Sequence, residues 1–140
     1  MKQEDKKLLL TDLCTRLAYG VKCTTKSMWN GIYTIVGYKD NRFFLDCPIH
    51  NEGDDEWMIE SIVPYLRPMS SMTEEECLEL SKLKPIYDEV AAWKYIKTPV
   101  PLAIANIKQF DFFHSHHLDW RDLIPKGLAL EAPKDMYKEE

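Results

Sequence analysis

A chain of 140 residues with 45% apolar side chains can bury the core of one small domain, and its formal net charge is −5. Divided at Met72, the first half holds 9 basic and 10 acidic residues and the second half 9 and 13, so neither half offers the basic excess that phosphate neutralisation usually demands. No apolar run is long enough to span a bilayer, and the leucine run at Leu8 is too short for the core of a signal peptide.

These features lead to the expectation of a cytoplasmic protein. Cys14, Cys23, Cys47 and Cys77 form no C-x-x-C pair, which agrees with free thiols in a reducing compartment.

In chain order, residues 5–17 read as a helix. Leu9, Leu10, Leu13 and Leu17 recur at three- and four-residue spacing, with Lys6, Lys7, Asp12 and Arg16 as its polar residues, and Gly20 ends the run. Residues 21–25, 31–38, 42–47 and 56–60 have strand character, and Lys39, Asp40 and Asn41 supply a hairpin turn between the second and third. Residues 61–68 contain Pro64 and Pro68, which bar a central strand and suit a 3₁₀ turn and exit.

Thr73 and Glu76 form a capping box, with Met72 and Cys77 as its hydrophobic staple, and open a helix that runs to about residue 83. Pro85 starts a further helical segment carrying Ile86, Val90 and Trp93. Thr98–Pro101 is an extended connector.

Asn106 and Gln109 make a second capping box for a helix over 107–118. Ile107, Phe110, Phe113, His114, His117 and Leu118 fall on one side of it, and Phe112 falls in the polar arc. Asp119 then caps a short helix over 120–126, with Gly127 and Leu128 as its Schellman ending, and 134–140 is a charged, loose tail.

The fold class expected from this order is α+β. A small antiparallel β unit, barrel-like in the SH3 manner, is preceded by one helix and followed by three or four. Residues 1–72 would hold the first helix and the β unit, and 73–140 a helical part packed on it.

Three chemical constellations compete. Asp111, His114 and His117 lie three residues apart on one helix face and could ligate a divalent ion, with Cys47 and His50 as the only tidy further ligands. The plainer reading makes His114 and His117 hydrogen-bonded scaffold beside the phenylalanines. A cysteine–histidine nucleophile has no supporting context, since Cys77 follows three glutamates that would raise its pKa. Neither a Gly-rich phosphate loop nor any pattern implying a cofactor is present.

The third constellation is a surface. The β unit is rich in aromatics, Phe43 and Phe44 are adjacent so that one must point outward, and Phe112 stands among polar residues. Trp29, Phe43, Trp57 and Phe112 are therefore the candidate binding residues. A protein partner is the expected ligand, with nucleic acid as the alternative and a metal-dependent enzyme third.

The stretches LLLTDLCTRLAYGV at 8–21, PYLRPMSSMTEEE at 64–76 and HHLDWRDLIPKGLALEAP at 116–133 together resemble a group of uncharacterised small proteins of gut Bacteroides genomes and of their phages and prophages. The resemblance implies a bacterial, intracellular setting, on a host genome or a mobile element, and carries no catalytic residues with it.

Overall fold

The computed structural model describes residues 1–26, 31–46, 55–83 and 107–137. Helix α1 (Gln3–Thr15) lays Leu9 and Leu13 into the core. A 3₁₀ turn at Leu17–Tyr19 and Gly20, whose φ of 68° suits a residue without a Cβ, swing the chain into the sheet.

Strands β1 (Lys22–Thr25), β2 (Tyr33–Lys39), β3 (Arg42–Asp46) and β4 (Asp55–Trp57) follow. Asp40 and Asn41 both take positive φ, as the two-residue turn between Lys39 and Arg42 requires. After a 3₁₀ turn at Ile59–Ser61, β5 (Ile62–Leu66) returns to pair with β1. Helix α2 (Glu74–Lys82) begins on the expected capping box: Thr73 Oγ1 accepts from the Glu76 amide at 3.1 Å, and Glu76 Oε1 accepts from the Thr73 amide at 2.9 Å. Helix α3 (Ile107–Ser115) and a last short strand, β6 (Leu130–Glu131), complete the described elements.

The sheet corrects the expected fold class. It has six strands in the order β4-β3-β2-β1-β5-β6, and it is mixed, because β6 runs parallel to β5 with Tyr65 opposite Leu130 and Leu66 opposite Glu131. The small antiparallel barrel is therefore not the architecture, and among the described residues two α-helices follow the strands rather than three or four.

Pro64 sits within β5 because of the parity of the ladder. The Lys26 amide bonds to the Ser61 carbonyl, and Thr24 lies opposite Val63, so ladder bonds fall on odd residues of β5 and the nitrogen of Pro64 faces away from β1. A proline there costs no hydrogen bond. Nor do residues 120–126 form a helix: Asp122 stands at φ 66°, which breaks any right-handed turn. The helix expected after Pro85 lies outside the described residues.

Two apolar clusters result. The larger one joins α1 and the inner sheet face through Leu9, Leu13, Ile35, Phe43, Leu45 and Leu66, and takes in Leu123 and Leu128 from the C-terminal half. In the smaller one, Met69, Met72, Cys77 and Leu80 pack on Phe112, Phe113, Leu118 and Trp120 of the histidine-rich segment. No helix among the described residues is long and apolar enough to cross a membrane.

Candidate functional site

The histidine-rich segment is positioned by the way α3 ends. His117 takes φ 59°, its amide bonds to the His114 carbonyl, and the Leu118 amide reaches back to the Phe113 carbonyl. This is a Schellman ending with histidine where glycine is usual, and Leu118 and Phe113 supply its apolar contact. The same pair of bonds recurs ten residues later, from Gly127 to Ile124 and from Leu128 to Leu123. Between the two endings the Asp119 carboxylate accepts from the amides of Leu123 at 2.8 Å and Ile124 at 2.9 Å. Burial pushes the Asp119 pKa up against the pull of those bonds.

Around this corner lies a buried polar network that the helix pattern did not reveal. Arg16, wholly buried, donates from Nε to Asp12 Oδ2 at 2.8 Å and from Nη2 to Asp12 Oδ1 at 3.2 Å. Its Nη2 also reaches the Leu118 carbonyl at 2.7 Å, tying α1 to the end of α3. Arg121 approaches the same carboxylate at 3.1 Å and lies 4.1 Å over the Trp120 ring. Helical spacing alone counts Asp12 and Arg16 among the polar residues of the first helix. Their i, i+4 spacing was the available signal, since such a pair can enter a core together when it satisfies itself.

His114 belongs to this network. The Trp120 indole N–H donates to its Nε2 at 3.0 Å, and an indole can only donate, so Nε2 offers its lone pair and the ring proton sits on Nδ1. Burial first, then the positive charge of Arg16, holds its pKa down at about 4. His117 stacks on Tyr137 with ring centroids 3.7 Å apart and 14° between planes. Burial, Arg16 and Arg67 likewise hold its pKa down at about 4. Both rings are neutral at physiological pH.

The expected metal triad is not assembled. Asp111 is exposed while His114 and His117 are buried, and the left-handed residue at 117 turns that ring toward Tyr137. The lone pair of His114 Nε2 is taken by Trp120, and the cations that lower the His117 pKa would repel a divalent ion as well. Among the described residues no three His, Cys, Asp or Glu side chains gather closely enough to hold a metal. Cys47 and His50 lie outside the described residues. Cys77 is buried at the foot of α2, and burial pushes the Cys23 thiol up to about 12.

Tyr137, assigned to a loose tail by its charged neighbours, is a latch. Its hydroxyl accepts from the Lys22 amide at 2.9 Å and donates to the Tyr65 carbonyl at 2.6 Å, filling the place where the β1–β5 ladder would otherwise bond directly. Burial raises its pKa to about 12. Tyr137→Phe should keep the stack on His117 but leave that amide and carbonyl unpaired, lowering stability in urea unfolding by about 1–2 kcal/mol.

One open cleft, about 510 Å³, lies between this C-terminal strap and the start of α2, with Arg67, Pro68, Glu76, Pro133 and Tyr137 on its walls. Two of its charged residues, Arg67 and Glu76, are already engaged with each other. Arg67 donates to both Glu76 oxygens at 2.8 and 2.7 Å and to the Ser71 and His116 carbonyls. Burial alone would raise the Glu76 pKa, but the Arg67 bonds, the Thr73 amide and the Arg67 charge bring it down to about 2. His116 Nδ1 contacts Glu76 Oε2 at 2.9 Å, and its ring lies on Phe112 at 4.2 Å.

The candidate binding residues fare unevenly. Phe112 is only 8% exposed, because it lies in the apolar cluster with Met69, Met72, Cys77 and Leu80, while Lys108, Asp111 and Ser115 of the same helix stay exposed. Phe43 points inward and is fully buried, and Trp57 opposite it is half-buried at the rim of the same core. Trp29 lies outside the described residues.

The outward aromatic is Phe44, whose ring comes within 4.0 Å of where a Cβ on Gly37 would stand. A bulge between Ile35 and Gly37 turns Val36 outward beside it. Thr24, Thr34, Val63 and Tyr65 share this outer face by strand alternation and are each half-buried. The adjacency of Phe43 and Phe44 showed that one ring would be free. Only the pairing of Phe43 with Trp57 over the core decides which.

Compared with protein families, curated proteins and solved structures, the chain matches none.

Proposed function

We propose that this protein is a non-catalytic interaction module that engages a protein partner with the outer face of its sheet, around Phe44, Val36 and Thr34. The observation that carries this reading is the exposure of two large aliphatic side chains on either side of Thr34, Ile32 at 54% and Val36 at 47%, with the half-buried Phe44 ring opposite Gly37, next to Val36. Large apolar side chains left exposed along one strand are a signature of binding surfaces. The groups with ligating or acid–base character in the histidine-rich segment serve structure instead: His114 holds Trp120, and His117 backs Tyr137.

Nucleic acid fits this face less well than protein, because Lys22 shares it with Asp46 and Glu56 and no unbroken positive field results. The setting is a bacterial or prophage-bearing cytoplasm, as the resemblance of the three sequence stretches implies. The test is photo-crosslinking in producing cells. With p-benzoylphenylalanine at position 44, a discrete protein adduct is expected, and with the probe at position 78, where the exposed Leu78 sits on α2, it is not. Equal labelling from both positions, or none from 44, would contradict the reading.

A further inference from the structure

The outer sheet face carries a charge pattern that restricts what can cover it. Lys22 of β1 and Asp46 of β3 are both registered against Thr34 of β2, one on each side. Alternation along the three strands places all three side chains outward, since Cys23, Tyr33, Ile35 and Leu45 are buried. One row therefore reads negative, neutral, positive, with the charges one strand spacing, about 4.8 Å, to either side of β2. The other outward positions along β2 are apolar or small: Val36 and, where its ring overlies Gly37, Phe44.

Such a face is complementary to itself. We infer that its occupant is a second copy of this chain, packed face to face about a two-fold axis that runs parallel to β2. This rests on the reading that the outer face is an interaction surface, and it names the partner. A rotation about that axis exchanges the two flanks of β2, so Lys22 of each copy is laid over Asp46 of the other, twice over.

Thr34 and Val36, on the axis, meet their own counterparts, and the exposed Ile32 extends the apolar strip. Isologous contacts require a patch whose charges change sign across the axis. Rotation about an axis perpendicular to the strands would superpose like charges at equivalent positions, so the pattern selects one arrangement. Glu56, opposite Phe44 on β4, adds a second negative group on the Asp46 flank, which leaves the excess positive demand on the Lys22 side of the partner.

The experiment is light scattering of the full chain over a concentration series from about 1 to about 100 μM. The expected mass at the upper end is twice the 16.5 kDa of one chain. Lys22→Glu or Asp46→Lys alone should weaken the dimer at least about tenfold, because each sets like charges against each other twice. Mixing the two variants should restore association, since every pair in the mixed dimer is again opposite in sign. Misfolded variants could not be rescued in this way. Glu79→Lys on α2, the same change in net charge as Asp46→Lys, should leave the mass unchanged.

A chain that stays monomeric while position 44 still crosslinks to a different protein overturns this inference and leaves the interaction reading standing. A monomer without any adduct from position 44 overturns both. A dimer indifferent to Lys22→Glu and Asp46→Lys uses another surface, and that too overturns the inference.

Discussion

Replacing Asp12 with alanine is expected to cost the fold about 3–5 kcal/mol, a large part of what holds a domain of this size together. The carboxylate is the shared acceptor of Arg16 and Arg121, and Arg16 has no route to water. Without Asp12 that guanidinium keeps its charge in an apolar setting with the Leu118 carbonyl as its remaining partner. Desolvation, not the lost attraction, sets the size of the effect.

A double substitution separates the two. Asp12→Leu together with Arg16→Met removes both charges and fills similar volume, so it should cost far less than Asp12→Ala alone, while Arg121, half-exposed over Trp120, turns to solvent. Urea unfolding of the three proteins reads this directly. A single-variant loss below about 1 kcal/mol would mean that Arg16 is hydrated in solution.

Acid is the second strong perturbation. His114 and His117 have folded pKa values near 4 because burial and neighbouring guanidinium groups oppose their protonation, whereas in the unfolded chain both titrate near 6.5. Above that value both states are neutral and the contribution to stability is complete. As pH falls through 6.5 the unfolded chain takes up protons that the folded chain refuses, so stability declines until about pH 4, where the folded rings protonate too.

Each ring can account for up to about 3 kcal/mol across that window. His117→Asn tolerates the left-handed backbone at 117 and removes one titrating group, so the slope of stability against pH between 4 and 6.5 should be roughly halved. Glu76 acts lower: with its pKa near 2, its contribution to stability is lost as pH falls from the ordinary carboxylate range toward 2. A stability curve flat between pH 4 and 6.5 would contradict the burial of the two rings.

Local rules were legible in this sequence, and long-range partners were not. The capping box at Thr73 and Glu76, the turn at Asp40 and Asn41, and the Schellman ending at Gly127 and Leu128 depend on a few adjacent residues, and each is present. Where a side chain's fate depended on a segment far along the chain, the reading failed.

Asp12 and Arg16 enter the core because Leu118 and Arg121 come to meet them, more than 100 residues away. Phe112 faces α2 rather than water. Tyr137 is fixed by a gap in the β1–β5 ladder that exists only after the C-terminal strap has crossed the sheet. Pro64 was excluded from a strand by a rule that holds for one parity of the ladder and not the other. Of the two adjacent aromatics on β3, Phe43 is buried and Phe44 is the outward one, a choice that the sequence alone leaves open.

The claim on which the account turns is that the imidazoles of α3 are scaffold. Its most direct test is an NMR titration of the His114 and His117 ring protons, run with and without one equivalent of zinc. Both rings should stay neutral until pH approaches 4, with His114 protonated on Nδ1, and neither should move on adding the metal. A midpoint at or above 6.5 for either ring, or zinc-induced shifts of the pair, would contradict the account and return the histidine-rich segment to chemistry.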